Sequence, residues 1–196
     1  LLAAAQGRRR TDEVEDLLAL RFGVRQDQTG ALVRDFQTAI DWRTGRPLPL
    51  SHRSYIADAK YLVGLEADTR LLEGLASAIR SPVFPLYLGR RSCPPAGRIV
   101  VGLREEPLDR LLKTEPWRAA EWYRRKQPRW VSLLWSRDAL PEEMRDETIR
   151  DVPRSFDPRH REYGWRDVKH GWAPFENLDG RPSTVHNEYD LLGGES

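Results

Sequence analysis

The chain is short of the residues that usually carry covalent and metal chemistry. It has one cysteine, Cys93, in 196 residues. An internal disulfide cannot form, and cysteine-based zinc sites are excluded. Its four histidines stand in neither HxxxH nor HExxH spacing, so neither a metal nor a cofactor is expected. Long apolar runs are also missing. No stretch approaches the ~20 residues of a membrane helix, and the opening LLAAA is too short for a signal-peptide core, with no basic region before it. A cytoplasmic protein without a membrane partner is the simplest expectation. Lysine is scarce, 4 against 28 arginines. Arginine's planar fork suits phosphates and base stacking; a GC-rich genome explains the bias equally well.

What is present is unevenly placed. The net charge is +2, yet residues 1–78 carry 11 basic and 11 acidic side chains, residues 79–130 carry 12 and 5, and residues 131–196 carry 9 and 14. The balances are therefore 0, +7 and −5. A basic middle between neutral and acidic ends favours a local anionic partner.

The pattern of elements begins in mid-helix: LLAAAQGRRR reads as a helix end running into a glycine stop, with a strand expected before it. TDEVEDLLALRFGV places Val14, Leu17, Leu18 and Phe22 at helical spacing behind a Thr11 cap, ending at Gly23. GVRQDQTGALVRDFQTA alternates around a QTG turn as a hairpin, and IDWRTGRPLPLSHRS reads as an exposed loop or hairpin tip. SYIADAKYLVGLE is expected as one central strand, and DTRLLEGLASAIRSP as a helix capped by Asp68 or Thr69. GRIVVGL reads as a short buried strand, REEPLDRLLKTEPW as a short helix or turn, and WYRRKQPRWVSLLW as a basic, aromatic strand edge leading into an apolar strand. Residues 136–196 look turn-rich, with REYGWRD as packing and a loosely ordered tail. Together these give an α+β chain in the β-α-β-β-α-β, ferredoxin-like (RRM-like) order. Residues 1–97 form the core and residues 98–196 a less regular, β-rich and turn-rich C-terminal extension.

The stretch FPLYLGRRSCPPAG (84–97) concentrates chemistry. As a nucleophile, Cys93 has Arg90 and Arg91 to lower its pKa, but Pro94 removes a backbone donor and no cysteine-enzyme signature surrounds it. A small turn residue is the simpler reading. As a phosphate cradle, Gly89 admits φ > 0 and close approach, Arg90 and Arg91 add charged contacts, Ser92 adds a hydroxyl, and the prolines stiffen the exit. A second cluster, Arg43, Arg46, His52, Arg53 and Tyr55 with Trp42, mixes aromatics and arginines as single-stranded RNA binding requires. An ordinary solvated loop accounts for it as well. His52 with Tyr55 also has the makings of a metal-independent ribonuclease pair.

YLGRRSCPPAG (87–97) resembles the LGRRSCP signature of the fifth Cas family, within the RAMP superfamily of CRISPR-associated proteins. VRDFQTA (33–39), SHRSYIADAKYLVGLE (51–66) and VPRSFDPRHREYGWRDV (152–168) follow that family's order. The motif resembles that of its subtype I-E members. The resemblance implies a ferredoxin-like RAMP core with a projecting β-hairpin thumb at about 35–55. It implies a non-catalytic RNA-binding subunit of the Cascade complex, which holds the crRNA 5′ handle and caps the backbone filament. Gly89, Arg90, Arg91, Ser92 and Cys93 would cradle the handle, with Arg43, Arg46, His52, Arg53 and Tyr55 at the thumb and its root. The implied partners are the crRNA, the neighbouring backbone subunit, the large subunit and, indirectly, target DNA. The alternative is an endoribonuclease cleaving repeat RNA.

Overall fold

The computed structural model describes residues 1–157 and 159–180. In chain order the elements are α1 (Leu2–Ala5), α2 (Glu15–Leu18), β1 (Arg21–Gln28), β2 (Ala31–Gln37), β3 (Ser51–Ala57), β4 (Lys60–Glu66), α3 (Thr69–Arg80), α4 (Leu108–Thr114), α5 (Glu121–Arg124), β5 (Trp130–Asp138), β6 (Glu147–Asp157) and β7 (His160–Glu176). Among the described residues the strands form a five-stranded sheet in the order β4-β1-β5-β7-β6 and a separate β2-β3 pair. The architecture is α+β, as the sequence implies. None of the described helices is long and apolar enough to cross a membrane.

The chain divides into two compact units. The first comprises Leu1–Arg25, Tyr61–Pro116 and Leu134–Trp172. Here β1 pairs antiparallel with β5, Val24 facing Ser136, and β6 pairs antiparallel with β7. Helix α4 lies close over the sheet because two glycines make room. A Cβ at Gly23 would sit 2.8 Å from Leu112 Cδ1, and one at Gly64 would sit 2.5 Å from Leu108 Cδ1. Leu108 and Leu112 are buried in this seat. The buried Arg25 guanidinium then donates to the carbonyls of Leu112 at 3.0 Å, Glu115 at 2.7 Å and Pro116 at 3.1 Å. It satisfies acceptors that a helix C-terminus leaves orphaned. Helix α3 starts where Asp68 accepts from the Leu71 N–H at 3.0 Å, and the chain beyond it returns to α1 through Val83 N–H to Ala5 O at 3.0 Å.

The second unit comprises Gln26–Lys60, Trp117–Leu133 and the described residues from Ala173 onward. Trp117, Ala119 and Leu133 form its buried cluster, with Tyr123, Val131 and Phe175 packed against them. Side chains tie its turns. Asp27 accepts from the Arg118 N–H at 2.8 Å, Gln28 accepts from the Ala120 N–H at 2.8 Å and donates to Asp58 O at 2.6 Å. The hairpin β2-β3 runs from Ala31↔Ala57 to Gln37↔Ser51.

Several sequence expectations need correction. The helix expected over 11–23 is a single turn, α2, and Phe22 and Gly23 lie in β1. β1 and β2 are not a hairpin: they belong to different sheets, and β2 pairs with β3. SYIADAKYLVGLE is two strands broken at Asp58, whose φ is 58°, and β4 is an edge strand rather than a central one. GRIVVGL forms no strand, with Ile99, Val101 and Leu103 exposed. Residues 122–124 of the basic aromatic stretch are helical. The C-terminal region is β-rich as expected, yet it holds the two longest described strands where long periodic segments were not expected, and Trp165 of REYGWRD is exposed rather than packed. Of the tail expected to be loose, Trp172–Glu176 is strand, and residues 181–196 lie outside the described residues.

Candidate nucleic-acid interface

The loop after α3 in the first unit is a closed turn. The Leu88 N–H donates to Cys93 O at 2.8 Å, and the Cys93 N–H donates to Arg90 O at 2.9 Å. Gly89 has φ +79°, and a Cβ there would meet nothing within 4 Å. The glycine is therefore required by backbone conformation, not by space. Pro94 and Pro95 restrict the exit. The turn leaves Arg90, Arg91 and Ser92 exposed and Cys93 half-buried. The Cys93 sulfur stands 3.9 Å from the Ser92 hydroxyl. Two adjacent guanidinium side chains thus project from a short, backbone-closed loop. Guanidinium groups so carried can make charge-assisted hydrogen bonds to an anion, with the backbone part of the turn already ordered.

The second cluster lies in the β2-β3 hairpin of the other unit. Arg43 and Arg46 occupy its tip. There the Asp41 carboxylate accepts from the Arg43 N–H and the Thr44 hydroxyl, both at 2.9 Å. These bonds hold the carboxyl below its ordinary pKa. The Asp41 N–H donates to Arg46 O at 2.9 Å, and Gly45 turns at φ +67°. Trp42 is 84% exposed, with the Arg43 guanidinium 5.0 Å from its ring centroid.

Strand parity separates the remaining candidates. His52 faces Phe36 across the ladder, their rings edge-to-face at 5.0 Å. Ile56, opposite Leu32, shares that face. Arg53, opposite Asp35, and Tyr55, opposite Val33, lie on the other face, where Arg53 donates to Gln37 Oε1. His52 and Tyr55 therefore do not converge. Sequence reasoning found the hairpin region but missed that its His52 face, shared with Arg34 and Ser54, also turns the large apolar side chains Leu32, Phe36 and Ile56 outward. Pairing parity, which sets Leu32, Phe36 and Ile56 on one face, becomes readable only once β2 is known to pair with β3.

Comparison with known proteins gives consistent neighbours. A family model described as "CRISPR-associated protein (Cas_Cas5)" matches residues 1–169. No curated protein matches the chain. A solved structure described as "Crystal structure of Cas protein" is 34% identical with a TM-score of 0.60, over 89% of this chain and 77% of that one. A second, described as "CRISPR RNA-guided surveillance complex", is 24% identical with a TM-score of 0.66, over 97% of this chain and 81% of that one.

Proposed function

The chain belongs to the Cas5 family of CRISPR-associated proteins, and from that premise we propose that it is a non-catalytic, RNA-binding subunit of a type I-E (Cascade) surveillance complex in the cytoplasm. It is the CasD-type subunit, holding the crRNA 5′ handle. The observation that carries this reading is the Gly89–Cys93 turn, in which a positive-φ glycine and two backbone hydrogen bonds present Arg90 and Arg91 together. The exposed β2-β3 hairpin supports the thumb assignment, its apolar face meeting a neighbouring backbone subunit. The large subunit is a further partner. Target sequence is read by guide pairing, so DNA is met only indirectly. The separation of His52 from Tyr55 across the strand supports a binding role over cleavage by that pair.

Replacing Arg90 and Arg91 together by glutamine tests the cradle. The variant is expected to bind handle RNA at least ~10-fold more weakly, with a salt dependence shallower by about 1.4 in log–log slope, since each single-strand phosphate contact contributes ~0.7. Unchanged handle protection and assembly would overturn it. Incubation of purified protein with labelled repeat RNA in EDTA tests the non-catalytic assignment. Site-specific cleavage abolished by His52→Ala would replace it with an endoribonuclease.

A further inference from the structure

The β6-β7 hairpin of the first unit carries a face that neither the cradle nor the thumb uses. In its register Arg150 pairs with Trp165, Pro153 with Tyr163 and Phe156 with Arg161. On a regular strand, residues three apart such as 150, 153 and 156 would alternate faces. Two register shifts, between Arg150 and Val152 and between Pro153 and Ser155, bring all three to one side, as bulges do when they re-aim side chains. There they join Arg161, Tyr163 and Trp165. The opposite face is the inner one: Gly164 and Val168 are buried, and Arg166 is tied to Asp138 at 2.8 Å and Asp151 at 2.6 Å. The aromatics are thus outside while the same strand has an inside. Trp165 is 66% exposed, and Tyr163 and Phe156 are exposed as well.

We infer that this face binds two or three unpaired nucleotides of single-stranded RNA, by stacking bases on Trp165 and Tyr163 and pairing phosphates with Arg150 and Arg161. The inference rests on the reading of the chain as an RNA-binding subunit and adds a second contact to it. Tyr163 and Trp165 are two residues apart on a strand, ~6.7 Å along it. That matches two base-stacking steps of ~3.4 Å, so a ring can occupy the place of a base between neighbours. Sheet-borne aromatics at this spacing are a general solution for splaying single-stranded RNA. The Arg150 guanidinium lies 5.9 Å from the Trp165 ring centroid and donates to Tyr163 O at 3.1 Å, so ring and charge are held together. The acid next along this face, Asp167, is engaged by the Thr148 hydroxyl at 2.7 Å and by Arg145 at 3.2 Å. The charge left around the rings is positive, complementary to phosphate.

The test uses the whole chain and a fluorescein-labelled single-stranded RNA of about eight nucleotides, within the range of single-strand site sizes, read by anisotropy. Trp165→Ala is expected to weaken binding about tenfold, an effect of the size of one lost stacking contact. Trp165→Phe is expected to restore most of it, and Tyr163→Ala to weaken binding several-fold, with far-UV circular dichroism unchanged in each. RNA carrying abasic sites should erase the difference between wild type and Trp165→Ala. Equal affinity of wild type and Trp165→Ala, beside a loss in the Arg90/Arg91 double variant, sinks this face and leaves the cradle standing. Loss only in Trp165→Ala supports the face and sinks the cradle. Wild type binding no RNA overturns both. Tighter binding of the matching single-stranded DNA overturns RNA as the occupant. Loss of a protein partner with unchanged RNA affinity makes the face a protein interface and overturns the inference.

Discussion

In the sheet of the first unit the side chains turned inward include arginines, whereas in the β2-β3 hairpin the side chains turned outward include leucine, isoleucine and phenylalanine. Arg25 is fully buried and Arg137 nearly so; Leu32, Phe36 and Ile56 stand in solvent. The two regions depart from the usual partition in opposite directions, for different reasons. The sheet supplies each inward guanidinium with fixed acceptors: three carbonyls for Arg25, and the carboxylates of Asp109 and Glu143 for Arg137. A buried charge so satisfied organises the chain around it. The hairpin supplies nothing to cover its apolar side chains, which under the proposed function are covered by a neighbouring subunit. Mutations should therefore weaken folding in the sheet and assembly in the hairpin.

The largest expected effect is at Arg25. Arg25→Met removes the donor shared by Leu112, Glu115 and Pro116 and leaves buried carbonyls without it. A loss of about 3 kcal/mol is expected, read from the urea midpoint at constant m-value. A variant as stable as wild type would mean the polar interior is incidental, and the comparison between the regions would collapse. Next is Arg137→Gln, worth about 1–2 kcal/mol at neutral pH. This site also has a pH signature. The Arg137 hydrogen bond first, then the Leu140 N–H, depress Glu143 from 4.5 to about 2. A depressed carboxylate stabilises the folded chain fully above its unfolded pKa and loses that contribution as pH falls through the folded one. The wild-type advantage over Arg137→Gln should shrink between pH 4.5 and about 2. An advantage independent of pH across that window would show that the pair does not hold the fold.

The same inversion explains what the sequence could and could not reveal. Helix α3 was legible because Asp68, Leu75 and the polar face obey cap and period. The Gly89–Cys93 turn was legible because glycine, arginines and prolines have local conformational meaning. Strand β1 was legible from Gly23 to Gln28, but the helical spacing from Val14 to Phe22 hid its first two residues, and nothing local in the sequence marks β5 rather than β2 as its partner. GRIVVGL erred the other way: β-branched residues promise a buried strand, but no ladder receives them. On β6 the two register shifts scramble parity, so the aromatic face it shares with β7 could not be found by counting. For His52 and Tyr55 the parity was available, and it divides a cluster that composition had grouped.

A smaller effect is expected at the hairpin tip. Gly45 turns at φ +67° with open space around its Cα. Gly45→Ala should cost about 1 kcal/mol through backbone strain alone. Its imprint should be local, as faster amide exchange from residue 41 to 46, not as a shift of the whole unfolding transition. A global shift would mean that the hairpin and the rest of the chain share one cooperative core, and would blur the contrast.

The smallest effect on stability belongs to the exposed hairpin face, and it is the sharpest test of the contrast. Leu32 and Ile56 lie opposite one another and are turned to solvent, Ile56 at 64% exposure. Replacing both with threonine, a β-branched strand former, keeps strand preference while removing apolar area. With no covering layer among the described residues, unfolding should change by no more than about 0.5 kcal/mol. Solubility of the isolated protein should rise, because a two-stranded apolar edge is an aggregation site. Co-purification of the neighbouring backbone subunit should fall with no change in RNA affinity measured on the free chain. The reverse pattern, destabilisation above about 1 kcal/mol with assembly intact, would mean that the hairpin packs within its own chain, and the outward leucine and isoleucine would then be core residues of the same kind as those beneath α4.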